Sequence, residues 1–111
     1  STMPTETSPE EETKIEVKTP QNYRINMTAS GFSPTEVNIH VGDTVNFVNT
    51  DSELHWPASA FHPTHQNLPE FDSLQGVPAG STYAFTFTKE GTWGFHDHLH
   101  AKLQGQIIVT E

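Results

Sequence analysis

Three histidines stand at alternate positions in the segment GTWGFHDHLHAKLQG, which begins at Gly91. They are His96, His98 and His100, and Asp97 lies between the first two. Side chains two residues apart on a β-strand lie on the same face, roughly 6.6 Å apart along the backbone. Imidazole nitrogens at that spacing can converge on one metal ion, so the segment predicts a chelating pair, His96 and His98.

A second cluster lies in residues 55–65 and contains His55, His62 and His65, the last two in the sequence HPTH. Six of the seven histidines thus fall in two short segments, which points to a metal site. Four imidazoles in one plane suit Cu(II), which favours tetragonal geometry, whereas Zn(II) prefers them tetrahedral. Because the chain contains no cysteine, thiolate ligands, cysteine nucleophiles and disulfide bonds are excluded.

The segments around these clusters have the period-two pattern of β-strands. In TEVNIHV the apolar residues Val37, Ile39 and Val41 alternate with polar ones, among them His40, which we interpret as a surface residue. STYAFTF repeats the pattern with aromatic residues. Residues 50–81 show no sustained period and predict a long functional loop. Six to eight short strands separated by turns predict an all-β fold, an antiparallel β-sandwich.

Composition limits the partners of this 111-residue chain. Fourteen acidic and five basic residues give a net charge of -9, which argues against nucleic acid or an anionic membrane surface. No run of about 18 apolar residues occurs, so no transmembrane segment is expected. Residues 1–20 are rich in Thr, Glu, Pro and Ser. They predict a disordered acidic tail or linker ahead of one domain at residues 21–111.

The blocks FSPTEVNIHVGDTVNFVNTDSELH and GTWGFHDHLHAKLQGQIIV resemble the cupredoxin family, the Greek-key copper proteins. The resemblance covers roughly residues 22–111 and implies a Greek-key β-sandwich. It also implies that His55, which follows a strand ending in N-x-D, is the first copper ligand. Blue copper members supply Cys, His and Met from the final loop, and the matching positions here are Asp97, His100 and Leu103.

The aspartate at the cysteine position changes what the resemblance implies. Trp93, Phe95 and Asp97 share one strand face, so Asp97 points where the thiolate would. A site without a thiolate cannot be of the blue-copper His2Cys type, which argues against the fast electron transfer usual in the family.

A second resemblance is to multicopper oxidases, which are built from cupredoxin domains. Their G-T-x-x-Y-H-x-H segment is similar to GTWGFHDH, and their HWHG segment partly matches LHWPAS, with Pro57 in place of the second histidine. In those enzymes the His-x-His pairs bind a copper cluster that is shared between domains.

Two arrangements of ligands follow from these observations. The inner arrangement uses the family positions His55, Asp97 and His100. The flanking arrangement uses the histidines on either side of Asp97, and we favour it because four nitrogens make the stronger chelate. Its ligands are His55, His65, His96 and His98, with His62, His100 and Asp97 as secondary candidates. In that arrangement Asp97 would accept a hydrogen bond from a ligand ring or a backbone group.

The leading functional hypothesis is a copper(II)-binding cupredoxin with an all-histidine, type 2-like site that is non-blue and tetragonal. Its role would be copper binding, handling or redox chemistry, with a redox or copper-delivery protein as partner. A periplasmic, extracellular or surface-anchored location follows from the family resemblance. Three alternatives stay open: a small copper redox enzyme acting on oxygen, superoxide or nitrite; a metal-free interaction module; and zinc in place of copper. The oligomeric state is also left open.

Overall fold

A computed structural model describes residues 19–59 and 68–111 of this chain. The predicted tail lies almost entirely outside these residues. In the part that the structure describes, every regular element is a strand, and no helix is long and apolar enough to cross a membrane. The eight strands are β1 (Asn22–Thr28), β2 (Gly31–Ser33), β3 (Glu36–His40), β4 (Thr44–Asn49), β5 (Pro57–Ser59), β6 (Thr82–Thr86), β7 (Gly91–Asp97) and β8 (His100–Thr110).

The strands form two four-stranded sheets, with the orders β2-β1-β4-β6 and β3-β8-β7-β5. The pairs β1–β4 and β3–β8 are parallel, and the other pairs are antiparallel. Connections therefore cross between the sheets, and the predicted all-β sandwich is confirmed. The expectation of an antiparallel sandwich is wrong only for the pairs β1–β4 and β3–β8, which join strands that are not consecutive in the chain.

The core lies between the sheets and is largely aromatic. Phe47, Phe71, Phe87 and Phe95 are each fully buried, and their rings contact one another in edge-on and tilted pairs. Burying four such rings removes a large apolar area from water, which is the main force that holds the two sheets together. This rigid layer supports the strand ends that carry the histidines.

Two details differ from the sequence pattern. Val41 is 43% exposed, because β3 ends at His40 and the chain turns at Gly42, whose φ of +97° suits glycine. Within the expected loop at residues 50–81, β5 pairs with β7. A strand of three residues is too short to show a period, so β5 could not be predicted from the pattern of residues.

Candidate metal centre

Asp97 is the last residue of β7 and is fully buried. Trp93 and Phe95 are buried on the same strand face, as the parity of the sequence predicts. One carboxylate oxygen of Asp97, Oδ1, accepts hydrogen bonds from the backbone N–H groups of Trp56 at 2.9 Å and Leu99 at 3.0 Å. The other oxygen, Oδ2, contacts Nδ1 of His55. A buried carboxylate is thus held in one orientation and aimed at a histidine.

His55 reaches Asp97 because β5 runs antiparallel to the end of β7, with Pro57 opposite Asp97. The backbone of His55 also forms a bridge with Val77, so the residue is fixed from both sides. Its side chain is 3% exposed, and its Nε2 lies 2.9 Å from Oδ2 of Asp51. Nδ1 donates to Asp97 and Nε2 donates to Asp51 when the ring is protonated; loss of the Nδ1 proton would leave the lone pair of that nitrogen available to a metal ion.

The position of Asp51 depends on Asn49, the last residue of β4. Asn49 is buried, and its side-chain Nδ2 donates to the carbonyl oxygens of Glu53 at 2.7 Å and Val77 at 2.8 Å. Its Oδ1 accepts from the backbone N–H of Asp51 at 2.8 Å. Asp51 is not among the site residues predicted from the sequence. The signal that could have found it is the N-x-D pattern ahead of His55, because Asn and Asp organise such turns.

His100 begins β8 and is the direct cross-strand partner of Asp97 in the β7–β8 ladder. Directly paired residues of antiparallel strands point to the same side, so His100 lies on the Asp97 side of the sheet. Its ring centroid is 5.6 Å from that of His55. One ligand atom from each of His55, Asp97 and His100 lies within 4.8 Å of the others. Within the described residues 19–59 and 68–111, no other group of three histidine, aspartate or glutamate residues brings its ligand atoms this close together.

Burial and hydrogen bonds shift the pKa values of His55 and Asp51. Burial by itself lowers the pKa of His55, but its hydrogen bonds to Asp97 and Asp51 outweigh burial and raise the pKa above its usual 6.5. The pKa of Asp51 is lowered, first because of its hydrogen bond to His55. Without a metal, a proton on His55 is therefore stabilised between two carboxylates.

Leu103, at the position where the resemblance implies a methionine ligand, offers no donor atom. It is partly buried and packs against the core. Together with His55 and His100 it lines a pocket of about 350 Å³ that opens to solvent, whose other lining residues are Ala29, Asp51, Ser52 and Glu53. The trio of possible ligands therefore has one side that a small molecule can reach.

His96 and His98 form a separate pair. Nε2 of His96 lies 3.4 Å from Nδ1 of His98, and the ring of His98 lies against Trp56, with centroids 4.9 Å apart. Burial and the neighbouring His98 ring lower the pKa of His96. The backbone of Ala58 acts in the opposite direction and raises the pKa of His96, but by less. Its contact with the ring falls short of hydrogen-bond geometry, and Nδ1 of His96 is buried without a hydrogen-bond partner.

The flanking arrangement is thus only partly visible. His55, His96 and His98 do not form a three-residue group of the kind that His55 forms with Asp97 and His100. The predicted ligands His62 and His65 lie outside the described residues. His40 is exposed on β3, as expected of a surface residue, and its Nδ1 lies 3.8 Å from Asp43.

Comparison with known proteins gives one family and many structural relatives. A family model described as a cupredoxin-like domain matches residues 4–109. A purple cupredoxin from Nitrosopumilus maritimus is 24% identical with a TM-score of 0.70, covering 79% of this chain and 99% of that one. A Cu(I) structure of an amicyanin variant is 25% identical with a TM-score of 0.64, covering 78% of this chain and 80% of that one. No curated protein matches the sequence.

Proposed function

This chain belongs to the cupredoxin-like domain family, and we propose that it binds Cu(II) through His55, His100 and the carboxylate of Asp97. The observation that carries the proposal is the approach of these three side chains to within 4.8 Å around a buried carboxylate. Bonds from a metal to nitrogen and oxygen are about 2.0–2.2 Å long, so three donors at this separation can share one ion.

The donor set favours copper(II) over softer ions. Two imidazole nitrogens and one carboxylate oxygen suit Cu(II), whereas Cu(I) is selected by thiolate and thioether ligands. Asp97 replaces the thiolate and Leu103 the thioether, so the site resembles a type 2 centre and would be pale rather than blue. The same donors also accept zinc, but Cu(II) binds more tightly at equal availability.

A second arrangement uses His96 and His98 with His55 and the histidines of HPTH. The observation in its favour is the 3.4 Å separation of the two facing ring nitrogens. We rank it below the inner site because the described residues supply the inner site with three converging donors. The flanking pair has only two.

The role that fits this chemistry is copper(II) binding and handling in an oxidising environment outside the cytoplasm. The chain lacks the thiolate of blue copper centres, so we place rapid electron transfer second. A protein that delivers or accepts copper would be its partner.

The test is a Cu(II) titration of the metal-free protein, followed by electron paramagnetic resonance and visible absorption. We expect one equivalent to bind and to give a tetragonal, weakly coloured spectrum. The informative variant is His100→Ala, because His100 is exposed and its loss should leave the fold intact. It should remove stoichiometric binding, while the double variant His96→Ala/His98→Ala should retain it.

The matched control is His40→Ala, which removes an exposed histidine on β3 and should leave binding unchanged. If the double variant loses copper and His100→Ala keeps it, the flanking arrangement is the correct one. If the unaltered protein binds no copper, the domain has kept the fold without its metal.

A further inference from the structure

The pocket beside His55 and His100 has an apolar wall at Leu103, which offers no donor atom to a metal ion. Its lining consists of Ala29, Asp51, Ser52, Glu53, His55, His100 and Leu103. Asp51 is already engaged, since its Oδ2 accepts from Nε2 of His55, on the far side of the ring from Nδ1. Leu103 presents only methyl groups. A three-donor site with an apolar wall and about 350 Å³ of solvent beside it leaves a coordination position for an outside ligand.

The charge around the pocket decides which outside ligands can use that position. With copper bound, His55 is neutral and Asp51 keeps its negative charge. The two positive charges of a cupric ion then face three carboxylates, those of Asp97, Asp51 and Glu53. Both Asp51 and Glu53 line the pocket itself, and the whole chain carries a net charge of -9. An approaching anion would therefore meet a site that is negative overall, although its centre is a cation.

We infer that the pocket admits small neutral molecules, such as water, to the metal and discriminates against small anions. This inference rests on the proposed copper site and deepens it. It separates the enzymatic alternatives raised by the sequence: superoxide and nitrite are anions and would be disfavoured, whereas dioxygen is neutral.

The first experiment asks whether the position is open. The full chain is loaded with one equivalent of Cu(II), and its electron paramagnetic resonance spectrum is recorded in ordinary water and in water enriched in oxygen-17. Line broadening by oxygen-17 would show that solvent is bound to the copper and would support the inference. Bound copper without any broadening would overturn it, while the copper site itself would stand.

The second experiment asks about charge, with azide as the anionic probe and imidazole, at a pH where it is uncharged, as the neutral one. Both are titrated into the copper-loaded protein at rising concentrations of a non-coordinating salt. Salt screens repulsion within roughly 10 Å at 0.1 M, so azide binding should strengthen as salt rises and imidazole binding should not change. Azide binding that weakens with salt would mean that the site attracts anions and would overturn the inference.

Glu53→Gln supplies the matched variant, because it removes one negative charge at the pocket without touching a proposed ligand. We expect azide affinity to rise roughly two- to threefold and the salt dependence to flatten. Glu90→Gln is the control: it removes the same charge next to the opposite end of β7, roughly 20 Å from Asp97, and should change neither. Equal effects of the two variants would refute the role of the pocket charge.

If the unaltered protein takes up no copper in the first place, the proposed function fails and this inference fails with it. Copper uptake is measured before any probe is added, so the two failures can be told apart.

Discussion

The hydrogen bond from His55 to Asp51 leads to a testable prediction about the proposed copper site. Asp51 is not a proposed ligand, yet its Oδ2 lies 2.9 Å from Nε2 of His55 and fixes which ring nitrogen is free. Replacing Asp51 with alanine removes that acceptor. The ring of His55 can then rotate or change tautomer, and Nδ1 is no longer held toward the metal.

The expected loss follows from the role of Asp51 in orienting the ring. Removing a group that orients a metal-bound histidine typically weakens metal affinity by about 10–100-fold. Asp51 and His55 both line the solvent-open pocket, so water can replace part of the lost acceptor when Asp51 is truncated. We therefore expect Asp51→Ala to weaken Cu(II) binding within that range. Asp51→Asn should fall between, because its amide oxygen still accepts a hydrogen bond but carries no charge.

The assay is a competition titration of Cu(II) against a chelator of known affinity, on protein shown by circular dichroism to be folded. Ser52→Ala serves as the control, since Ser52 lines the same pocket and its hydrogen bond to Asp51 comes from its backbone N–H, which the substitution keeps. If Asp51→Ala binds copper within about twofold of the unaltered protein, then Asp51 does not position His55 as a ligand and the reasoning from this hydrogen bond is refuted.

Three further predictions concern acidity, the nature of the ligand and the packing of the hairpin. The pKa of His55 is raised above 6.5, so Cu(II) affinity should fall by up to about tenfold per pH unit below that raised value, as chelator competition would show. The metal-free protein should show the opposite trend in urea unfolding: the contribution of His55 to stability is fully present below about pH 6.5 and is lost as the pH rises through the raised pKa. Asp97→Cys should convert the pale copper spectrum into an intensely coloured one, since a thiolate would replace the carboxylate; a folded, copper-loaded variant that stayed pale would contradict the geometry. Gly105→Ala should lower the free energy of unfolding by about 1–3 kcal/mol in urea titrations, because a Cβ there would lie 2.6 Å from the ring of Phe95. The control is Gln104→Ala on the exposed side of the strand, which should change the free energy of unfolding little.

Much of the fold could be predicted from local pattern. Alternation of apolar and polar residues depends only on the two-residue period of a strand and the need to bury one face. For that reason the inward face of β7, with Trp93, Phe95 and Asp97, is where parity places it. The short strand β5 and the parallel pairs could not be predicted, because such pairing depends on contacts between distant segments.

The grouping of the histidines shows the same limit. In sequence, His96 and His98 have the same spacing as His98 and His100, so spacing cannot tell which pair forms a site. The structure separates them, because β7 ends at Asp97, the chain turns, and His100 begins β8 directly opposite Asp97. The rule that residues two apart share a face holds only within one strand, so it does not apply across the turn between β7 and β8. On the far side of the turn, the neighbour of Asp97 is the cross-strand residue His100.

Residue identities and strand periods were enough to predict a β-sandwich and a candidate site that is rich in histidine and free of sulfur, and the resemblance indicated a cupredoxin-like domain. They led to an all-histidine ligand set with Asp97 in a supporting role. The approach of His55 to Asp97 and His100, and the place of Asp51 on the other side of the His55 ring, are set by the tertiary structure. His55 and Asp97 are 42 residues apart in the chain. Contacts at that separation are set by the packing of the two sheets around the aromatic core, which no local pattern records.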